Sequence, residues 1–405
     1  MGFKKWKVLS LAGALALGYA VSSQAAEIKV SDETFGEIGV NLKVWYLKAD
    51  ELEKKGDWSK NEFYVGNLRF YAKGQITKLV QFYGEIDSGT NRNAELSEAG
   101  VNLAFAPEFQ IRAGQIRVPF SRYQVTSDYA QIIPSGVGWT GSKFIYSTLD
   151  PQEMLYVNPL AFSPKNDGKA DAGVVIHGSL EKGMFRYALG LFNEDRIGKD
   201  KKNFEYSIRL EFTPTMLGFK PEGDSITGRV KDTYLGTKDV LTIGLGYNSE
   251  KVLDKNFYGK GLTRKSWTVD ALVEKKYGLW VPNLQLGYIG MNDSHLYWKG
   301  SIKKGDTDAW YVQAQLLYDQ MVGFGKPALA LRYDNVKADD SYDGKDDTKV
   351  RRWGVVLNYY LKGQAARVSL GFDNVSYKDA AKAFLKDEGL EDKLTNWYLY
   401  FQTKF

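Results

Sequence analysis

The sequence predicts an all-β protein, a single transmembrane antiparallel β-barrel of about 16 strands. Three observations support this class: long segments of alternating apolar and polar residues, an export signal, and a last segment of alternating aromatics that ends at Phe405. A barrel wall grows by adding hairpins without a thicker core, so one such domain can accommodate 405 residues.

Alternation is clearest in residues 204–212. One face carries Phe204, Tyr206, Ile208, Leu210 and Phe212, and the other carries Glu205, Ser207, Arg209 and Glu211. Successive side chains of a strand point to opposite faces, so this segment separates an apolar face from a charged one. Aromatics such as Trp310 and Tyr318 stand at the ends of an apolar face, which is typical of interfacial girdles. Runs of about ten residues are long for a soluble sandwich and suit a bilayer crossing.

Sixteen such segments follow one another along the chain. They are predicted near residues 35–48, 62–76, 79–87, 94–105, 108–117, 170–180, 183–193, 203–213, 239–249, 264–276, 282–292, 307–320, 326–338, 349–361, 365–377 and 394–405. Short and long connections alternate, which is typical of a barrel with both termini in the periplasm. Residues 214–238 break this alternation, so they are either an insertion in a short turn or an overlooked hairpin.

The N-terminus predicts export. Lys4, Lys5 and Lys7 precede an apolar stretch over 8–20, and small residues follow up to Ala25. This pattern predicts a signal peptide over 1–25 and a mature barrel over 26–405 in a Gram-negative type outer membrane. The formal charge of +5 falls by the three lysines to +2 in the mature chain, so the basic pI gives no reason to expect a nucleic-acid partner.

The last segment, 394–405, has a structural and a targeting role. It must pair with the first strand, because an open sheet edge cannot exist in lipid. A terminal Phe405 after alternating aromatics is also the usual form of an outer-membrane assembly signal. We therefore expect membrane lipid and the barrel-assembly machinery as partners.

The longest connection, 118–169, follows the fifth predicted strand. A connection of this length inside a compact fold is usually functional. We expect it to fold into the barrel and narrow the pore, where its mixed charges would create a transverse field. The alternative is a surface loop outside the mouth.

Residues 111–128 resemble a known family, the phosphate-selective porins O and P. The matching residues are Gly114, Gln115, Arg117, Pro119, Phe120, Thr126 and Ser127. This motif is moderately specific, whereas the C-terminal half is generic barrel. The resemblance implies a passive channel that forms trimers. It does not establish phosphate transport.

Charged residues on the inner parity of the early strands are the candidate pore lining. The bases are Lys43, Arg69, Lys73 and Arg112, followed by Arg117 and Arg122 at the loop entrance, and the acids are Glu85, Asp87 and Glu98. Arg117 has the opposite parity to Arg112, so it reaches the lumen only past an irregularity near Gly114. The guanidinium group of arginine can bind an oxyanion through two parallel hydrogen bonds, but acids in the same space can neutralise its charge.

The predicted function is thus a passive diffusion channel for small hydrophilic solutes and ions, with a preference for anions. Two alternatives stay open: a channel specific for phosphate, carboxylates or sugars, and a structural or adhesive barrel with a plugged lumen. Fold alone does not decide among them.

Catalysis, cofactors and metals are not expected. The chain has no cysteine, and its two histidines, His177 and His295, lack the context of a nucleophile. His177 lies on the same strand face as Ser179, which is typical of residues that line a lumen without a catalytic role. The acidic residues Asp339, Asp340, Asp343, Asp346 and Asp347 do not match an EF-hand and are expected in a solvated loop.

Small residues on the lipid parity of the early strands are the candidate oligomer interface: Gly66, Ala72, Gly84 and Ala99. Small residues permit close approach in a membrane, where lipid offers no hydrophobic difference. We therefore expect a closed homotrimer with the wall near 35–105 at its interface. The alternative is that these residues only ease the curvature of the barrel.

Overall fold

Sixteen strands form a closed antiparallel wall in the computed structural model, which describes residues 26–31, 33–50, 59–88, 94–134, 170–193, 203–253, 261–298, 302–339, 347–387, 389 and 391–405. A short strand, β1 (Ala26–Lys29), pairs with the start of the first wall strand. The wall strands are β2 (Phe35–Asp50), β3 (Ser59–Gln75), β4 (Val80–Ser88), β5 (Ala94–Ala106), β6 (Phe109–Arg117), β7 (Ala170–Leu180), β8 (Phe185–Asn193), β9 (Phe204–Phe212), β10 (Val240–Leu253), β11 (Leu262–Glu274), β12 (Trp280–Trp298), β13 (Ile302–Tyr318), β14 (Lys326–Ala338), β15 (Thr348–Lys362), β16 (Ala366–Asp379) and β17 (Lys393–Lys404).

Two short helices accompany the wall, α1 (Arg122–Val125) and α2 (Ala380–Asp387). Two 3₁₀ turns, Glu181–Gly183 and Thr215–Leu217, lie at the end of the barrel that carries the short turns. Within the described residues no helix is long and apolar enough to span a membrane.

The wall closes between its last and first strands. Each strand pairs with its neighbours in sequence, and β17 pairs with β2 through partners such as Phe401 and Val44. Phe405 and Val40 also exchange two backbone hydrogen bonds, of 2.5 and 2.9 Å. The predicted closure by the last segment is thus confirmed, and every predicted segment corresponds to one wall strand.

The distribution of polar and apolar side chains between inside and outside is the reverse of that in a soluble protein. In β9 the outward Phe204 and Leu210 are 49% and 48% exposed, whereas the inward Arg209 is 3% exposed. The same pattern holds in β15, where Leu357 faces outward and Asn358 is fully buried. Apolar groups on the outside and polar groups inside are what a lipid-facing wall requires.

Outward aromatics pair at two levels along the wall. Trp280 and Tyr318 have ring centroids 4.9 Å apart toward the short-turn end. Trp310 and Tyr333 lie 5.2 Å apart toward the end that carries the long loops. Aromatic rings at the two levels of the membrane interface match the predicted girdles.

A bulge in the early wall corrects one predicted residue. The β2–β3 register shifts between Lys43 and Val44, opposite Gly66. Val65 faces outward on one side of this bulge and Phe70 does so on the other, so the parity changes within it. A Cβ added at Gly66 would meet the buried indole of Trp45. Gly66 therefore does not belong to the lipid-facing row.

The connection between β9 and β10 is an insertion. Residues 213–239 contain the 3₁₀ turn Thr215–Leu217 and no strand pair of their own. The Lys220 amide donates to the Asp239 carbonyl at 2.9 Å and brings the two ends of the segment together. We call 213–239 the turn insertion; the overlooked hairpin is ruled out.

Candidate pore constriction

The first part of the predicted constriction loop, residues 118–134, lies inside the wall. We call it the crossing segment; residues 135–169 fall outside the described residues, so the complete loop stays a prediction. Near its start, the carbonyls of Pro119 and Phe120 accept hydrogen bonds from Ser207 and Arg209 of β9, each of 2.6 Å. The Arg122 amide donates to Asp270 of β11 at 2.8 Å.

The far end of the crossing segment is bound to the opposite side of the barrel. Three side chains of successive strands donate to its carbonyls: Asn358 to Ile132 at 2.7 Å, Arg367 to Gln131 at 2.5 Å and Gln402 to Tyr129 at 2.9 Å. These donors belong to β15, β16 and β17, whereas the start is held by β9 and β11. The segment therefore traverses the lumen.

The turn insertion enters the lumen from the short-turn end. At one side Arg229 forms ion pairs with Glu85 of β4 and Glu98 of β5, at 2.5 and 2.7 Å. At the other side the Asp232 carbonyl accepts from Asn283 and Gln285 of β12, at 2.7 and 2.9 Å. The insertion thus also spans the interior.

The two inward segments meet inside the barrel. Thr126 and Val230 form a parallel bridge, in which the Ser127 amide donates to the Val230 carbonyl at 3.0 Å. Arg122 and Glu222 add a two-pronged ion pair of 2.7 and 2.8 Å. Because the segments enter from opposite ends, together they reduce the open cross-section from both sides.

Ion pairs dominate the early wall beside these segments. Arg69 contacts Glu85, Asp87 and Asp128 at 3.1, 2.6 and 3.3 Å. Arg117 contacts Glu98 and Asp128 at 2.7 and 3.4 Å. With Arg229, these residues form one network, which we call the early-wall cluster. It holds three guanidinium groups and four carboxylates, so it has no cationic excess.

The remaining predicted lining residues have separate partners. Lys73 lies 3.4 Å from Glu37 and 3.8 Å from Asp224. The Lys43 ammonium lies 4.4 Å from the ring centroid of Tyr129. Arg112 donates to the Ile226 carbonyl at 2.8 Å. Sequence parity thus brought the right residues inward, but it could not show how they are paired.

Arg117 reaches the lumen as the sequence analysis required. It is 7% exposed and donates to the carbonyls of Gln124 and Thr126 at 3.0 and 2.6 Å. Gly114, between Arg112 and Arg117, has φ of +139°. Only glycine adopts such a backbone conformation readily, and a Cβ there would collide with the Ala99 carbonyl.

The insertion contributes functional residues that the sequence analysis did not name. They are Glu222, Asp224 and Arg229, which all lie in 213–239. The signal that could have identified them was the long connection at a place where the alternation predicts a short turn. Burial by itself would raise the pKa of Glu222, but the Arg122 guanidinium holds that pKa below its usual range. Burial opposes ionisation of Asp224 too, yet hydrogen bonds from Thr227 and the charge of Lys73 lower its pKa.

The groups considered for catalysis or metal binding lie only partly within the described residues. His177 shares a 2.8 Å hydrogen bond with Asn102. The side chain of His295 and residues 340–346 of the acidic run fall outside the described residues. Among the described residues, no group of three or more His, Cys, Asp or Glu is placed to hold a metal ion.

Small residues align on the outer face of the early wall. Ala72 is the register partner of Gly84, and Gly84 is in turn the partner of Ala99. A Cβ added at Gly84 would have no atom within 4 Å, which is consistent with an open outward position. Three neighbouring strands therefore present one continuous row of small residues.

Known proteins resemble this chain in sequence and in fold. An uncharacterized protein of Aquifex aeolicus (strain VF5) is 27% identical over 320 residues, covering 74% of this chain and 67% of that protein. An anion-selective porin from Comamonas acidovorans has the same fold, with a TM-score of 0.57, 12% identity and coverage of 92% of this chain and 100% of that one. The outer membrane channel DcaP of Acinetobacter baumannii gives a TM-score of 0.55, 10% identity and coverage of 93% and 99%.

A family model settles the classification. The model described as phosphate-selective porin O and P matches residues 38–393, which is most of the barrel wall and both inward segments. The closed 16-strand wall with apolar groups outside agrees with that match. The chain belongs to the phosphate-selective porin O and P family and is an outer-membrane diffusion channel.

Proposed function

We propose that the channel is a weakly selective passive pore for small hydrophilic solutes, and that its width is set jointly by the crossing segment and the turn insertion. The observation that carries this proposal is the contact between the two segments, in which Val230 pairs with residues 125–127. A pore held by two such segments admits small solutes and retains large ones.

The ion pairs of the early-wall cluster support weak selectivity. Charge rings set ion preference only where they are not cancelled nearby. Here the guanidinium groups of Arg69, Arg117 and Arg229 each lie within 3.5 Å of a carboxylate. These charges hold the inward segments in place, so the anion preference inferred from sequence depends on bases outside this cluster, of which Arg112 is one.

Reversal potential in a planar bilayer tests this assignment. In a tenfold KCl gradient we expect a value near zero, compared with about 59 mV for a perfectly selective channel. Arg112→Glu should move it toward cation preference more than Lys73→Glu does, because Lys73 already has Glu37 and Asp224 nearby. A strongly anion-selective wild type that is unaffected by Arg112→Glu would contradict the proposal.

We further propose export with removal of residues 1–25 and assembly through a C-terminal signal that ends at Phe405. The basic residues Lys4, Lys5 and Lys7, the apolar stretch over 8–20 and the small residues up to Ala25 support this processing. N-terminal sequencing of protein from outer membranes should therefore start at Ala26 or Glu27. Functional protein that retains Met1 would exclude this processing.

A homotrimer is proposed from the outer row of Ala72, Gly84 and Ala99. Their register across three neighbouring strands provides a smooth strip for close packing against protein.

A further inference from the structure

A pocket of about 250 Å³ lies between the turn insertion and strands β6 to β9. Its apolar lining comes from Pro107, Pro119, Val125, Val175, Ala188 and Pro221. Nine charged side chains also line it, six basic and three acidic, and most of them are held in ion pairs. A small cavity that combines apolar walls with polar groups placed to orient a ligand is the usual form of a binding site for a small organic solute.

Arg112 is the distinctive group of this pocket. Its side chain is 7% exposed, its Nε donates to the Ile226 carbonyl at 2.8 Å, and its Nη2 has no hydrogen-bond acceptor. No carboxylate among the described residues lies within 4.0 Å of it. Leaving a buried guanidinium without a counter-charge is costly, so an anion that enters the pocket gains a strong partner.

Other buried arginines differ from Arg112. Arg122 is paired with Glu222, Arg264 with Glu250, and Arg352 with Asp334. Arg367 also lacks a carboxylate among the described residues, but it lies near the rings of Tyr360 and Tyr400, and its Nη1 donates to the Gln131 carbonyl. Among the buried arginines that the structure describes, Arg112 is thus the one whose charge is matched by neither a described acid nor a described aromatic ring.

The acids that line the pocket are already engaged. Glu211 lies 2.8 Å from both Arg186 and Arg209, and Glu222 is held by Arg122. Asp224 accepts from the amides of Ile226 and Thr227 in its own turn, at 3.1 and 2.8 Å. Among the lining residues described, Arg112 is therefore the one buried guanidinium without a carboxylate partner, and the exposed Lys182 adds a second cation at the rim.

We propose that this pocket binds a small monocarboxylate with a short apolar body. The carboxylate pairs with Arg112, for which a two-oxygen acceptor is the best geometric match. The apolar body lies against the proline and valine side chains. Among the described lining residues, only the Arg112 charge is both buried and without a carboxylate partner, which favours a monoanion over a phosphate dianion, because Lys182 at the rim is exposed to solvent. The inference rests on the proposed channel function, since the solute reaches the pocket through the lumen.

Glycine in the insertion makes this arrangement possible. Gly228 has φ of +72°, and a Cβ there would lie 2.5 Å from Nη1 of Arg112. The backbone of the insertion can therefore approach the guanidinium only because this residue lacks a side chain. Gly228→Ala should displace the guanidinium or the turn without altering a wall strand, so it tests the pocket independently of folding of the wall.

Block of chloride current in a planar bilayer tests the proposal, with butyrate, acetate and inorganic phosphate as probes added to the short-turn side. We expect butyrate to reduce the current at about a tenfold lower concentration than acetate, because it buries two more methylene groups. Phosphate should block least. Arg112→Met should raise the half-blocking concentration of butyrate about tenfold or more.

Lys182→Met is the matched control, because it removes the same charge from an exposed position at the rim of the same pocket. It should change butyrate block less than about twofold. If Arg112→Met fails to fold, Gly228→Ala takes its place in the experiment. It should raise the half-blocking concentration of butyrate several-fold.

Block by phosphate below the butyrate concentration would overturn the proposal. So would unchanged butyrate block in folded Arg112→Met or Gly228→Ala, or an equal effect of Lys182→Met. A wild-type protein that conducts no current would instead contradict the channel function itself.

Discussion

The early wall, β3 to β6, and the late wall, β15 to β17, hold the inward segments in different ways. The early wall relies mainly on charge against charge: Glu85 and Glu98 bind the guanidinium of Arg229, and Arg69 binds Asp128. Arg117 adds hydrogen bonds to the carbonyls of Gln124 and Thr126 beside its own ion pairs. The late wall donates to backbone carbonyls of the crossing segment. The ion pairs of the early wall depend on particular side chains of the inward segments. The hydrogen bonds from the late wall go to backbone carbonyls, so they do not depend on which side chain stands at those positions.

Their outer faces differ as well. The early wall presents the row Ala72, Gly84 and Ala99 between bulkier outward residues such as Phe70 and Ile86. The late wall presents Leu357, Leu370 and Trp397, each about half exposed. Bulky apolar groups suit lipid, and small ones suit a neighbouring protein. The early wall, which carries more inward charges than the late wall, is thus also the one expected to contact other subunits. Such contacts would stabilise it from outside.

The largest effect is expected from reversing the charge that joins the insertion to the early wall. Arg229→Glu would place a third carboxylate beside Glu85 and Glu98, and breaking a buried ion pair costs about 3–5 kcal/mol. The insertion should leave its position, so single-channel conductance should rise severalfold. Cleavage of the insertion by added protease should become faster.

A charge-preserving change at the same position is the control for Arg229→Glu. Arg229→Lys keeps the charge but loses the two-pronged contact with Glu85, so conductance should rise much less than in Arg229→Glu. Equal conductance of all three proteins would show that the insertion does not limit the pore, and the early wall would then have no special role in its width.

A second effect concerns the outer faces. Ala72→Trp together with Ala99→Trp should convert the oligomer into folded monomers, because indole rings prevent close approach of the early walls. Leu357→Trp, on the outward face of the late wall, is the matched control and should leave the oligomer intact. Native gels of unheated samples measure both. An oligomer that survives the double change would locate the interface elsewhere.

The smallest effect is expected in the late wall. Gln402→Leu removes one donor to the Tyr129 carbonyl, and a single neutral hydrogen bond contributes about 1 kcal/mol. Because Asn358 and Arg367 still hold the crossing segment, conductance should stay close to wild type while open-channel noise increases. A conductance change as large as that of Arg229→Glu would contradict the distinction between the two walls.

Strand positions and closure could be predicted from the sequence because both follow from period-two alternation and from the absence of water in lipid. The wall strands coincide with the predicted segments, and the pairing of Phe401 with Val44 follows from the need to close the edge. Bulges were not predictable in the same way. At Gly66 the parity changes within a strand, and only the position of Trp45 shows on which side the glycine lies.

The sequence by itself determined that this chain is a closed barrel with a polar interior, because alternation sorts side chains between lipid and lumen. Only the tertiary structure decided what those inward charges do. Arg69 and Glu85 are neighbours through strand register, but Arg229 reaches them from 144 residues beyond Glu85 by folding the turn insertion inward. Contacts between segments so far apart depend on loop geometry that no local sequence pattern encodes. The sequence around a charged loop residue does not differ according to whether its side chain faces water or a carboxylate.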